Sequence, residues 1–455
     1  MSASGSARRN LPYLDPVEFT PQFAWKAGPG RSPREVFCEG VSLRSVAERF
    51  DTPTYVYSQQ AIVDAFDEFE RGLKGLPHLL CFAVKANGNL SLLELLARRG
   101  SGFDIVSGGE LEHLGRIGVA GKRIVFSGVG KTREEIRAAL AYRARPSASP
   151  GILQFNVESP GELEVLIEEA SRHRPSRRRV PGVSLRVNPD VAAGGHPHIS
   201  TGLAQHKFGV SWEEARKLYL RQRPRRQIRW QGISAHIGSQ IVELQPFREA
   251  LERLVSYLLD LQREGIALQY LDVGGGLGVR YTKERPLSRK EYARMIAETV
   301  RPLGVGLLLE PGRSIIASSA VLLSKVLYTK RTSVKSFVVI DAAMNDLARP
   351  ILYDAPHLIT RVRTDEDEKT RAECRADIVG PVCETGDRFL EDWPLGPVKP
   401  GDTVAIWAAG AYGMVQASNY NGRRRPAEVL VSGKRARLIR RRETMRDLLR
   451  TDVRG

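Results

Sequence analysis

The sequence predicts a (β/α)8 barrel followed by a mostly-β domain, on three observations. Eight short apolar runs alternate with amphipathic segments from Leu79 to Leu309, the repeat expected of a parallel strand followed by a helix. Each run ends in polar or glycine residues, as strand ends do when they converge on one barrel mouth. From about Val326 the rhythm changes to β-like runs separated by turn residues. A doubly wound open sheet is the alternative. The strand count and the chemistry at every strand end favour the barrel.

Composition bounds the reading. A chain of 455 residues has room for two or three domains, and 42% hydrophobic with 27% charged residues suits a globular protein. The opening MSASGSARRN has no apolar signal-like core, and no apolar stretch is long enough to span a bilayer. A cytoplasmic protein with no membrane partner is expected. Cys38, Cys81, Cys374 and Cys383 form no CxxC pair and no metal-ligand spacing, so neither a disulfide framework nor a metal is expected. The net charge of +17 comes from arginine clusters at 177–179, 223–226, 423–425 and 435–442. They fall in separate connecting or terminal segments without interleaved aromatics, so solvated surface is preferred to nucleic-acid binding.

In order along the chain, residues 1 to about 50 carry Pro12, Pro16, Pro21, Pro29 and Pro33, which rule out a long helix. The predicted strands follow at Leu79–Val84, Phe103–Val106, Arg123–Phe126, Ile152–Val157, Val183–Val187, Gly232–Ile237, Tyr270–Val273 and Val305–Leu309. Between them lie helical patterns such as SPGELEVLIEEASR, which opens with Ser159, Pro160 and early acids. Ser314 to Ser324 reads as helix-like, and Thr364 to Arg371 as a charged loop. The expected domains are an N-terminal segment (1–52) packing with the β domain, a barrel (53–318) and a C-terminal β domain (319–455).

The strand ends carry the chemistry. CFAVKAN ends its apolar run in Lys85, and an ammonium at a buried strand end is costly unless paired or neutralised. On this heptapeptide alone a solvent-facing lysine is the alternative to an amine that holds an aldehyde cofactor. Gly274-Gly275-Gly276-Leu277-Gly278 and Glu310-Pro311-Gly312-Arg313 end the last two strands. Two such turns side by side predict a phosphate site, where barrels often place one. Glu310 is then placed to keep a pyridine nitrogen protonated, and His236 in HIGSQ to cover a ring face. Lysine, phosphate cradle and ring acid on one mouth predict pyridoxal 5'-phosphate.

FAVKAN, HIGSQ, DVGGGLG, EPGR, DAAMNDLARPILYDAPH, GPVCETGD, GAYG and SNYNGRRRPAEVLV together resemble the diaminopimelate decarboxylases, in that family's order, from about residue 35 onward. That family has the alanine-racemase-like fold of pyridoxal phosphate enzymes. The resemblance implies a head-to-tail homodimer with shared active sites. It implies that Lys85 is the cofactor lysine, Glu310 the partner of the pyridine nitrogen and His236 the stacking residue. Ser239, Gly274, Gly275, Gly276, Gly312 and Arg313 resemble phosphate and substrate contacts, and Asp104 a supporting acid beside the lysine. Cys383 resembles the proton donor, supplied across the dimer interface with Glu384.

For meso-diaminopimelate the distal amino-acid head needs reading as well. Arg313 and Arg349 suit its carboxylate bidentately and Glu384 its ammonium, while Tyr353 and Tyr412 complete the set, Tyr412 also at the cofactor. Residues His196 to Gly209 resemble a mobile loop, with Ser200, Thr201 and Gly202 near the distal group. The implied reaction is loss of carbon dioxide from the D-configured centre and protonation by Cys383 to give L-lysine. A related decarboxylase of ornithine, arginine or another basic amino acid is the alternative. Ala343 stands where glycine is expected and Pro356 where an aromatic is expected, and the segment between GGGLG and EPGR is short. These departures bear on substrate preference.

Overall fold

A computed structural model describes residues 11–453 except 12–13, 21, 28–32, 146, 173–179, 193–206, 222–226 and 365–372. Its chain divides into two compact units, residues 65–278 with 285–315, and residues 1–64 with 279–284 and 316–455.

The first unit is a closed barrel of eight parallel strands. In chain order they are β1 (His78–Ala83), β2 (Gly102–Ile105), β3 (Ile124–Phe126), β4 (Gln154–Val157), β5 (Gly182–Arg186), β6 (Arg229–Ser234), β7 (Tyr270–Asp272) and β8 (Gly306–Leu309). β8 pairs with β1, Leu307 opposite His78, and that pairing closes the ring. Every residue of β2 to β5 is buried. A strand covered on both faces has no solvent side, so its sequence is a continuous apolar run rather than an alternation. All eight expected strands are present within a few residues of their anticipated ends.

The helices start where side chains satisfy orphan amides. Thr132 with Glu135 and Ser288 with Glu291 form capping boxes, and Ser159 Oγ accepts the Glu162 N–H at 3.2 Å. Cys81, wholly buried beside Val125 and Leu308, fills the barrel core. Burial pushes its thiol pKa well up, so it stays neutral.

The second unit is mostly β. Its nine-stranded sheet places Thr54–Ser58 between Ala320–Arg331, antiparallel, and Ala427–Ser432, parallel. A second sheet joins Phe23–Ala27, Arg34–Cys38, Val41–Ser42 and Arg363–Thr364, so N-terminal residues and the later chain share one core, in which Phe23 and Val36 meet Val321 and Trp407. The expected helix at Ser314–Ser324 is corrected. Helical turns stop at Ser319, and Ala320 opens a strand. Val321, Leu322 and Leu323 are wholly buried in the sheet, and a short apolar run does not distinguish a buried strand from a buried helix.

Two of the arginine clusters are tied into this unit. Arg425 pairs with Glu443, Arg440 with Glu428 and Arg441 with Asp447, while Arg442 Nη2 donates to the Pro53 carbonyl at 2.7 Å. The clusters at 177–179 and 223–226 lie outside the described residues. Among the described residues no helix is long and apolar enough to cross a membrane.

Candidate active site

The barrel mouth gathers six of the predicted side chains. Lys85 sits in a short turn, Val84–Ala86, directly after β1. Its Nζ lies 2.7 Å from Asp104 Oδ2 in β2, and the Asp104 side chain is fully buried. Asp104 Oδ1 is buried as well and, among the described residues, has no hydrogen-bond partner.

Glu310 follows β8 and is buried. Its Oε1 accepts from Asn156 Nδ2 at 3.1 Å and Ser127 Oγ at 3.3 Å. The same Asn156 amide donates to Asp272 Oδ2 at 3.0 Å, so one amide bridges two buried carboxylates. Desolvation raises the pKa of Glu310 well above the usual carboxylate range, and the charges of Asp104 and Asp272 raise it further. Asp272 is raised too, again chiefly by desolvation. Both shifts favour the protonated form of these two carboxyls, which Asn156 joins.

The glycine turns pack against one another. Gly274 and Gly276 take φ of 65° and 108°, which side-chain-bearing residues rarely adopt. A Cβ on Gly275 would stand 2.3 Å from the Glu310 carbonyl oxygen, and the Glu310 N–H donates to the Gly274 carbonyl at 2.7 Å. The sequence suggests three glycine amides open to phosphate. Two of them are used internally: Gly274 N–H donates to Asp272 Oδ1 at 3.0 Å and Gly275 N–H to His236 Nδ1 at 3.1 Å. Among the described residues the Gly276 N–H makes no hydrogen bond.

Ser239 Oγ accepts from Arg313 Nε at 3.2 Å and Nη2 at 2.9 Å, which joins the ends of β6 and β8. Gly312 lets that turn lie on β1, since a Cβ there would meet Ala86 and Ala83 at 3.0 and 3.2 Å. His236 takes the Gly275 N–H at Nδ1, so that nitrogen carries no proton. Desolvation, then the charges of Arg186 and Lys85, hold its pKa well below the usual value, and the ring is neutral.

Lys85, Asn156, Arg186, Phe208, His236 and Glu310 line a cavity of about 190 Å³. Arg186 Nη1 pairs with buried Glu158 at 3.0 Å, and Glu158 also accepts the N–H groups of Gly128 and Gly209 at 2.9 and 3.2 Å. Asn156, Asp272 and Glu158 were not anticipated as site residues. Their signal is a polar residue inside or at the end of an apolar run, as in LQFNVE and YLDV. Ser200, Thr201 and Gly202 lie outside the described residues. A larger, open concavity of about 680 Å³ in the β unit is lined by Arg44, Glu48, Lys325, Arg361, Lys399 and Asp402 among others.

The barrel mouth suits pyridoxal phosphate on its own chemistry. Lys85 and Glu310 line the cavity, and the mouth adds Asp104 beside the amine, Asp272 joined to Glu310 through Asn156, and a glycine turn with Ser239 and Arg313 at neighbouring strand ends. These match an aldehyde, a ring nitrogen and a phosphate. Among the described residues no cluster could hold a metal ion.

The β unit brings three motifs together. Asp387 is buried and staples the CETGD loop, taking Val382 N–H at 2.8 Å and Met344 N–H at 2.7 Å. It is a loop anchor whose pKa burial raises. Asn421 Nδ2 donates to Cys383 Sγ at 3.5 Å, and Tyr420 OH donates to Glu384. Arg423 Nε reaches Asn345 Oδ1 at 2.8 Å. Cys383 and Glu384 are exposed on the loop. Arg349 is buried, Tyr353 OH accepts from Gln416 at 3.2 Å, and Tyr412 is half-buried with φ of 57°. Ala343, in place of the expected glycine, is wholly buried and donates its N–H to Asp346.

Comparison with known proteins agrees with this geometry. Residues 59–317 match the family model for the pyridoxal-dependent decarboxylase, pyridoxal binding domain. The chain is 48% identical to the diaminopimelate decarboxylase of Pseudomonas aeruginosa over 91% of its own length and 96% of that protein's. Among solved structures, it superposes on the diaminopimelate decarboxylase of Helicobacter pylori complexed with L-lysine with a TM-score of 0.83, at 40% identity over 90% of this chain and 98% of that one. For the M. jannaschii enzyme in co-complex with L-lysine the TM-score is 0.86, at 36% identity over 95% and 98%. With lysine, acid pair and glycine turns on one barrel mouth, and relatives that match it along nearly their whole length, this chain belongs to the diaminopimelate decarboxylase family of pyridoxal phosphate enzymes.

Proposed function

We propose that the protein decarboxylates meso-2,6-diaminopimelate to L-lysine and carbon dioxide with pyridoxal 5'-phosphate. The observation that carries the reading is Lys85 held 2.7 Å from buried Asp104 at the mouth that also holds the buried carboxyls of Glu310 and Asp272. When bound, pyridoxal phosphate supplies a carbonyl that condenses with amines and a ring that takes up the electrons left by departing carbon dioxide.

The chain's own residues do the rest. Lys85 anchors the cofactor through Nζ, and Asp104 holds that amine at the strand end. Glu310 keeps a proton for the ring nitrogen. Asn156 fixes the position of that carboxyl by donating to Oε1. Neutral His236 presents a flat face without adding a cation beside Lys85. Gly276, Ser239 and Arg313 form the anion cradle, and Gly274, Gly275 and Gly312 shape the turns that carry it. Arg349 reads the distal carboxylate, assisted by Arg313, and Glu384 reads the distal ammonium. Tyr353 and Tyr412 add hydrogen bonds, Tyr412 also toward the cofactor. Cys383 delivers a proton from Sγ to the α-carbon.

The working form is a homodimer in which the β unit's Cys383 and Glu384 serve the partner's barrel. Support comes from their exposure on a firmly anchored loop, which offers acid and thiol outward. The cytoplasm is the proposed setting, where the four free cysteines stay reduced.

The test mixes purified protein and pyridoxal phosphate with meso-diaminopimelate, ornithine, arginine or lysine in separate reactions. Lysine and carbon dioxide from the first alone are expected. No turnover there, with an amine formed from any of the others, overturns the substrate.

A further inference from the structure

We propose that His357 is a positioning residue for substrate recognition, setting the orientation of Arg349; the inference rests on the role proposed above for Arg349. Arg349 opens the short helix Arg349–Tyr353 and is buried. Its Nη1 lies 2.7 Å from His357 Nε2, and His357 Nδ1 lies 2.7 Å from the Trp407 carbonyl oxygen. A guanidinium only donates and a carbonyl only accepts. The geometry therefore assigns one state to this wholly buried ring: neutral, with the proton on Nδ1 and the lone pair of Nε2 facing Arg349.

Tyr281 completes the arrangement. The Arg349 Cζ stands 4.6 Å from the centre of its ring, and His357 meets the same ring edge-on, centroids 5.3 Å apart at 75°. Tyr281 comes from the stretch Val279–Glu284, which belongs to the same compact unit as Arg349 and His357. Each of the three side chains touches the other two. The Tyr281 face sets the plane of the guanidinium, and the bond to His357 sets its rotation within that plane.

Both settings matter for reading a carboxylate bidentately, because the fork must meet two oxygens at once. The identity of the partner matters as well. A carboxylate would orient Arg349 and also cancel its charge. The neutral imidazole orients it through a lone pair and adds no negative charge of its own. His357 thus acts through Arg349 and needs no contact with substrate.

Two substitutions divide the ring's two bonds. His357→Gln keeps an acceptor within reach of Arg349 and gives up the donor to Trp407. His357→Asn keeps the donor to Trp407 and falls short of Arg349. The holoenzyme of each, with Arg349→Lys as reference, is assayed against meso-diaminopimelate, and L-lysine binding is followed by calorimetry. For His357→Asn, KM is expected to rise roughly ten-fold with kcat within about three-fold, and L-lysine to bind correspondingly more weakly. His357→Gln should stay within about three-fold of the parent on both measures. Equal losses in the Gln and Asn variants, or an unchanged KM in His357→Asn, overturn the proposal. An unchanged KM in Arg349→Lys overturns instead the reading of Arg349 on which it rests.

Discussion

The barrel mouth and the motif loops of the β unit hold their functional groups in opposite ways. At the mouth the acids are buried, bridged by Asn156, and pushed up in pKa by desolvation. On the loops Cys383 and Glu384 are exposed, and the buried residue is the anchor beneath them, Asp387. The first arrangement spends burial on the chemical groups themselves, which suits a cofactor held for many turnovers. The second spends burial on the scaffold and leaves the groups outward, which suits a surface completed by something else. Cofactor chemistry and proton delivery should therefore separate under mutation.

The largest effects come from breaking each side at its centre. Lys85→Ala is expected to lower kcat by roughly 10³-fold or more and to abolish the absorption band of lysine-linked cofactor. Cys383→Ala should lower kcat by roughly 10²- to 10⁴-fold while that band survives. A Cys383→Ala enzyme that turned over at the parental rate would falsify the donor assignment. If the partner's loop completes each barrel, mixing the two inactive variants under exchange should restore about a quarter of parental activity, because a mixed dimer carries one intact and one doubly altered site. No recovery despite demonstrated exchange would place both sets within one chain.

These two regions also differ in how much of them the sequence made legible. Lys85, Asp104, His236, Glu310 and Arg313 sit at or near strand ends, and the barrel periodicity alone brings those ends together. Asn156 and Asp272 escaped because a single polar residue in an apolar run has no local signature. Only closure of the ring shows that both meet Glu310. In the β unit the decisive contacts join residues far apart in the chain, Asn421 to Cys383 and Arg423 to Asn345. No periodicity encodes such pairs, so the motifs were visible and their mutual bracing was not. The run at Ala320–Leu323 was misread for a related reason, since burial on both faces removes the alternation that marks a strand.

A smaller effect tests whether the anion cradle is preorganised. Ser239 Oγ is the shared acceptor for Arg313 Nε and Nη2. Ser239→Ala should loosen that arginine and raise the cofactor Kd roughly ten-fold, with kcat at saturating cofactor within about three-fold. A kcat loss with unchanged cofactor affinity would move Ser239 from the cradle to the chemistry.

The smallest expected effect concerns Glu110, at the edge of the mouth. Its Oε2 accepts the Val106 N–H at 2.7 Å. Desolvation, then the charge of Asp104, lifts its pKa to about 7, against the lowering effects of the Val106 bond and Lys85. Between about pH 4.5 and 7 the folded protein therefore holds a proton here that the unfolded chain has released. Stability from this group is full below the unfolded pKa and is lost as pH rises through the folded one. At about 1.4 kcal/mol per pKa unit, the loss is at most about 3.5 kcal/mol. Glu110→Gln keeps the acceptor for Val106 and removes the titration. In urea unfolding of the cofactor-free protein, the variant should match the parent near pH 5 and exceed it near pH 8. Equal differences at the two pH values would mean that the carboxylate is not strained by its place beside Asp104, and that the charge economy of the mouth is confined to Asp272 and Glu310.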